Sequence, residues 1–222
     1  MSDYVFEEVP AAEIERQRAL YGPLAQSVRE LADAVIRTEV DEQDVRLAQA
    51  EIEAITKRLR ERQLAGSYGV RFNGAGQARA WGNAVVGLRN PVAPPLVVQH
   101  DDSGRAWSDF RLGAAYEGPP GLVHGGVSAL ILDQLLGEAA SAGGKPGMTG
   151  TLTLRYRRAT ALGDLHAESR IDRVEGYKTF TVGTISDAEG VTVEAEAVFI
   201  LPQWARARLE ANPDEFAPIR YE

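Results

Sequence analysis

One helix set among runs of period two constrains this fold more than any other feature of the chain. Leu96 to His100 and Arg105 to Leu112 flank Asp101-Asp102-Ser103-Gly104, a hairpin signal. Then comes a stretch from Gly125 to Glu138 that is apolar nearly all round, as a buried helix must be. Four more alternating runs follow. Leu152, Leu154 and Tyr156 alternate with Thr and Arg. Residues 165–174 follow Gly163-Asp164, and residues 177–186 follow Glu175-Gly176. In 191–201, Val191, Val193, Ala195, Ala197 and Phe199 fall on one face, and Pro202 ends the run. Strands joined by turns this tight pair antiparallel. The expectation is an α+β domain whose sheet wraps a single helix.

The first third is different. Residues 1–66 carry fourteen acids against nine bases. Leu24, Val28, Leu31 and Val35 step by four, three and four, as one helical face does. Val45, Ala48, Ile52, Ile55 and Leu59 repeat the pattern. Asp41 can cap the second helix, with Glu42 and Asp44 favourable in its first turn. The spacing predicts two antiparallel helices, about 22–37 and 41–64, after a shorter one near 11–20 that Gly22-Pro23 separates from them. Such faces pack on their own domain or on a partner subunit. Their mixed polar sides argue against a membrane surface. The chain therefore divides into a helical extension (1–66), a connector (67–92) with little regular structure, the sheet-and-helix domain (93–203) and a polar tail (204–222), with a short helix at 203–211. Gly74-Ala75-Gly76 is not a dinucleotide loop, because Arg79 stands where that loop needs glycine. A turn at Asn73-Gly74 is the simpler reading.

Composition narrows the chemistry. There is no cysteine among 222 residues, which removes disulfides, thiolate metal sites and a Cys nucleophile. Three histidines, His100, His124 and His166, leave a poor metal set, so no metal and no separate cofactor are expected. The net charge of −8 argues against nucleic acid. No apolar run is long enough to span a membrane. The N-terminal residues lack the basic and apolar regions of a secretory signal, so a cytoplasmic protein is expected.

The helix carries the chemistry. Asp133 lies inside its apolar run, where a carboxylate must be paired, hydrogen-bonded or poised for use. Gly125 and Gly126 remove Cβ atoms where unpaired N–H groups point outward, which suits an anion or a developing oxyanion; close helix–sheet packing is the alternative. His124 and Asp133 are nine residues apart, so they sit about 180° apart around the helix and about 13.5 Å along it. They cannot act on one small group from one helix. Two antiparallel helices across a two-fold axis would join them in composite sites. Other candidates are weaker. His166-Ala167-Glu168 lacks the cysteines of a deaminase, and His166 reads as a strand-surface residue. His100 reads as a hairpin end. Ser128 lacks a nucleophile elbow. Glu138 reads as filling a polar gap.

The run from Tyr116 to Pro202 resembles the hotdog-fold acyl-CoA thioesterases of the phenylacetate-pathway type, and is similar to their mammalian long-chain relatives. The resemblance is carried by Glu117-Gly118-Pro119-Pro120-Gly121 with His124-Gly125-Gly126, by Asp133, by Thr149, by Tyr156-Arg157-Arg158 and by Val174-Glu175-Gly176-Tyr177-Lys178. It implies an antiparallel sheet around one central helix, dimerised edge to edge and often paired again into tetramers. It implies that the Gly126 N–H binds the thioester oxygen and that His124 orients the loop or the thioester. Asp133 of the partner chain would attack the carbonyl or activate water, and Thr149 would hold that water or the carboxylate. Gly125 and Glu117 would line the substrate. Coenzyme A phosphates need local bases, and Arg155, Arg157, Arg158, Arg173 and Lys178 gather near a strand end and the next turn; Arg157, Arg158 and Lys178 are preferred. Many family members have Asn where this chain has Gly118, so Glu117 or backbone must take that part. The competing readings are an enoyl-CoA hydratase of the same fold, whose Asp-x-Asn-x-x-His spacing is absent, and a non-catalytic acyl-CoA-binding or interaction protein.

Overall fold

The structure is a computed structural model and describes residues 4–73, 78–101, 103–203, 205 and 206. In chain order it holds strand β1 (Tyr4–Phe6), helices α1 (Ala11–Arg37) and α2 (Glu42–Arg60), and short strands β2 (Val70–Phe72), β3 (Ala78–Arg79) and β4 (Gln99–His100). Strand β5 (Ala106–Leu112), helix α3 (Gly125–Ala142) and strands β6 (Met148–Tyr156), β7 (Gly163–Glu175), β8 (Lys178–Asp187) and β9 (Gly190–Ile200) follow.

The expected hotdog architecture is present. Six strands form one sheet in the order β4-β5-β7-β8-β9-β6, every neighbour antiparallel. Helix α3 packs on its inner face, and Ile131, Leu132, Leu135, Leu136, Ala139 and Ala140 are buried there. Val193, Ala195, Ala197 and Phe199 of β9 meet them, as the alternation of that strand predicts, whereas Val191, expected on the same face, is exposed where the register with β8 shifts between Ile185 and Ser186. Strand β6 is an edge: it pairs with β9 on one side only.

A bulge in β6 decides which side chains face the helix. Thr149 pairs with Phe199, but Thr151 pairs with Val198, so Gly150 is the extra residue. Leu152 pairs with Ala197 on the inner face. Without the bulge Thr149 would share the outward side of Thr151 and Thr153. With it, Thr149 points the same way as Leu152, Leu154 and Tyr156.

The N-terminal region departs from expectation in four ways. First, α1 is one helix of 27 residues with Pro23 inside it, not two helices. Proline removes one helical hydrogen bond, but packing on both sides of the break holds the helix to the body. Tyr21 lies under the Arg89 guanidinium at 3.6 Å, and Arg29 donates to the carbonyls of Ala93 and Asn90. Second, the face of α1 on the body is the one bearing Ile14 and Ala25, while Leu24, Val28, Leu31 and Val35 are all exposed. Third, α2 ends at Arg60, does not pack along α1 and has no buried residue. Its expected cap is present, with the Asp41 carboxylate accepting from the Asp44 N–H at 3.0 Å. Fourth, the connector holds structure: β1, β2 and β3 form a small sheet in which β1 runs parallel to β2, and Trp81 is fully buried. Gln203, Ala205 and Arg206 are helical, while the rest of the helix expected at 203–211, and Gly74 of the expected turn, lie outside the described residues. Among the described residues no helix is long and apolar enough to cross a membrane.

Candidate active site

The start of α3 is built by its own N-cap. His124 is extended, and its Nδ1 accepts from the Gly126 N–H at 3.0 Å. An accepting Nδ1 carries no proton, so the neutral ring has its N–H at Nε2. This corrects a simple oxyanion picture, because the Gly126 donor is already engaged by His124. The Gly125 N–H has no partner among the described residues. A Cβ at Gly125 would lie 3.3 Å from the Tyr156 hydroxyl, so this glycine serves close helix–sheet packing, and a Cβ at Gly126 would lie 3.1 Å from His124 Nδ1.

Glu117 and the loop after it brace this start. The Glu117 carboxylate accepts from the Gly121 N–H at 2.7 Å, and the His124 N–H donates to the Tyr116 carbonyl at 2.9 Å. One oxygen of Glu117 is therefore spent on shaping the Gly-Pro-Pro-Gly loop. Gly121 has φ +73°, which favours glycine there. From the sheet side, the Tyr156 hydroxyl donates to the Gly125 carbonyl at 2.8 Å. This anchor was missed in the sequence, where Tyr156 reads only as the end of a strand.

Asp133 lies two turns further along α3. It is half-buried, and Thr149 Oγ1 donates to its Oδ1 at 2.9 Å. The pair sits at the β6 edge, so the carboxylate is held by one oxygen while the other has no protein donor among the described residues. The structure thus joins Asp133 to Thr149. It does not join either to His124 and Gly126, which lie at the other end of β6.

The bases expected to gather do not gather within one chain. Arg157 and Arg158 follow Tyr156, which pairs with Val193, whereas Lys178 pairs with Ile200. Those positions on β9 are seven residues apart, about 23 Å along the strand. Arg157 donates to Glu194 at 2.6 Å, and Arg158 holds Asp187 with both terminal nitrogens and the Gly190 carbonyl with one. Hydrogen bonds from these arginines hold the Glu194 and Asp187 carboxylates below their usual ranges. Arg155 pairs with Glu196, and Arg173 with Asp172 and Glu175.

Two side chains set aside in the sequence make a pair. Glu138 is 2% exposed and accepts from Gln134 at 2.7 Å, and His100 Nε2 lies 3.2 Å from its other oxygen. This ties β4 to α3, so Glu138 does fill a polar gap, and His100 is more than a hairpin end. His166 pairs with Asp109 at 2.8 Å on the sheet surface, as expected. Ser128 is buried. Among the described residues, no group of three or more acidic or His side chains is placed to hold a metal ion.

Residues 120–194 match the model of the thioesterase superfamily. The chain is 38% identical over 96 residues to the acyl-coenzyme A thioesterase THEM4 of Xenopus laevis, covering 41% of this chain and 42% of that protein. It is 35% identical over 99 residues to the mouse (Mus musculus) protein of the same name, covering 43% of each. The matches thus span less than half the length of these curated relatives. A crystal structure of a thioesterase superfamily protein superposes with a TM-score of 0.73 at 35% identity, covering 81% of this chain and 90% of that one.

Proposed function

The chain belongs to the thioesterase superfamily, and from that premise we propose that it hydrolyses the thioester of an acyl-coenzyme A at a site shared between two subunits. The observation that carries this reading is the Asp133–Thr149 pair at the open β6 edge. Thr149 holds one carboxylate oxygen. The other is free to attack the thioester carbonyl or to take a proton from a water that attacks. In either route water supplies the hydroxyl of the released acid, and the thiolate of coenzyme A leaves and takes a proton.

Pairing β6 with β6 of a second copy, antiparallel about a two-fold axis, brings the Asp133 end of one strand beside the Gly125 end of the other. The donors at the start of α3 then face the carbonyl that Asp133 attacks. The Gly125 N–H is available to the developing oxyanion, and the Gly126 N–H joins it when the His124 ring turns aside. His124 in this account is a gate on that donor, and it orients the thioester through its Nε2–H. The same pairing supports a phosphate-binding role for the separated bases. Lys178 of one subunit comes to the same end as Arg157 and Arg158 of the other. Glu117 acts on the substrate through the loop it braces, and no metal or further cofactor enters the scheme.

Asp133→Asn, assayed on a panel of acyl-coenzyme A substrates, tests this. Because the chain has no cysteine, a thiol reagent reads only the released coenzyme A. The expected loss is about 100-fold or more in kcat in a folded variant. Near wild-type turnover in that variant removes Asp133 from the chemistry. Tight binding without turnover in the unsubstituted protein points instead to an acyl-coenzyme A-binding role.

A further inference from the structure

Helix α2 is an amphipathic helix with no element packed along its apolar side among the described residues. Val45, Ile55 and Leu59 are each 47–49% exposed, and no residue of the helix is buried. Helices in proteins gain most of their stability from packing an amphipathic face, and this one of 19 residues has its face unpacked among the described residues. On one face its apolar residues step by three and four in strict alternation, Val45, Ala48, Ile52, Ile55 and Leu59, with the exposed Leu47 lying off that face. That period of 3.5 is a two-residue-per-heptad seam, the pattern of a helix that packs along another helix. In heptad terms Val45, Ile52 and Leu59 take the a positions, and Ala48 and Ile55 take the d positions.

We propose that this seam pairs antiparallel with the same seam of a second copy of the chain. The register is set by both the core and the charges. With Ile52 against Ile55 of the second copy, the central layers are two isoleucine pairs. The layers outside them place each Leu59 against the small Ala48 of the other helix. In that register the flanking g positions bring Glu51 beside Arg58 of the second copy, and Arg58 beside its Glu51. These two groups have no ion-pair partner within the chain among the described residues, whereas Arg46 on the same helix is paired with Glu42. A seam that can pair with itself, flanked by two unspent charges of opposite sign, selects a second copy over a membrane or an unrelated helix. The contact lies outside α3 and β6 and does not depend on the proposed hydrolysis. With β6 pairing it makes a tetramer; without β6 pairing it makes a dimer.

The test is the mass of the full chain in solution by light scattering, with helix content checked by circular dichroism. Ile52→Asp with Ile55→Asp is expected to halve the mass. Glu51→Arg alone and Arg58→Glu alone each bring like charges together twice and weaken association about tenfold. The two reversals combined are expected to restore it, which a merely structural role of either residue would not do. An unchanged mass in the isoleucine variant, or no restoration in the combined reversal, overturns the proposal. So does binding of the unsubstituted chain to anionic phospholipid vesicles that is lost in the isoleucine variant while the mass stays the same.

Discussion

Thr149 gives Asp133 its donor, and the value of that bond lies in orienting a carboxylate that must otherwise be free to react. Removing the hydroxyl with Thr149→Ala forfeits a hydrogen bond to a charged group. That loss corresponds to about a 10- to 100-fold fall in kcat. Thr149→Ser keeps the hydroxyl and is expected to recover most of it, while KM moves little in either variant. Steady-state kinetics on one acyl-coenzyme A separates the two outcomes. Arg158 and Asp187 illustrate a different kind of pair. Hydrogen bonding from Arg158 holds the Asp187 carboxyl below its ordinary value, helped by the backbone N–H groups of Glu189 and Gly190. A depressed folded-state pKa stabilises the fold at all pH above the ordinary aspartate value of about 3.9, and that stabilisation is lost as pH falls through the lower folded value. The difference in Tm between the protein and Asp187→Asn is therefore expected to be full at neutral pH and to shrink in acid. A difference that grows in acid contradicts the pairing.

At the scale of elements, the β6 bulge fixes the side on which Thr149 falls. Deleting Gly150 removes the extra residue and straightens the strand, and it leaves Thr149 opposite Phe199 on the side of Leu152. The expected result is a folded protein that keeps the Thr149–Asp133 bond and most of its turnover. A fall as large as that of Thr149→Ala, about 10- to 100-fold, means that the side given to Thr149 is not what the bulge contributes to the site. No pattern in Met148-Thr149-Gly150-Thr151 announces the slip, because a glycine in a strand is compatible with a bulge, a bend or neither. By contrast α3, the hairpin at 101–104 and strands β7, β8 and β9 were legible, since each carries its own period and its own turn residues. The Asp133 position was legible too, because a carboxylate inside an apolar helix needs an explanation wherever it occurs. The N-terminal third was harder. Periodicity shows that Leu24, Val28, Leu31 and Val35 share a face, but it does not say what the face meets, and here α1 sits on the body by another face. Strand β1 pairs in parallel with β2 across more than sixty residues of chain, most of them helical, a contact that no local signal reports. The His124 cap on Gly126 depends on a rotamer, which spacing does not encode.

For the whole molecule, the account makes each active site the property of two chains. Asp133 and Thr149 stand at one end of β6, the open start of α3 at the other, and the bases that would meet coenzyme A phosphates are divided the same way. Subunit mixing tests this most directly. Asp133→Asn removes the carboxylate, and Gly125→Pro removes the available donor N–H at the first position of α3, where proline is tolerated after the extended His124. Each variant alone is expected to be nearly inactive on acyl-coenzyme A. Co-expressed or refolded together, they form mixed dimers in which one site is intact and the other carries both substitutions. Random assortment then restores about a quarter of the unsubstituted activity. Recovery near that level is the result the account predicts. Mixed dimers that form but stay inactive contradict it.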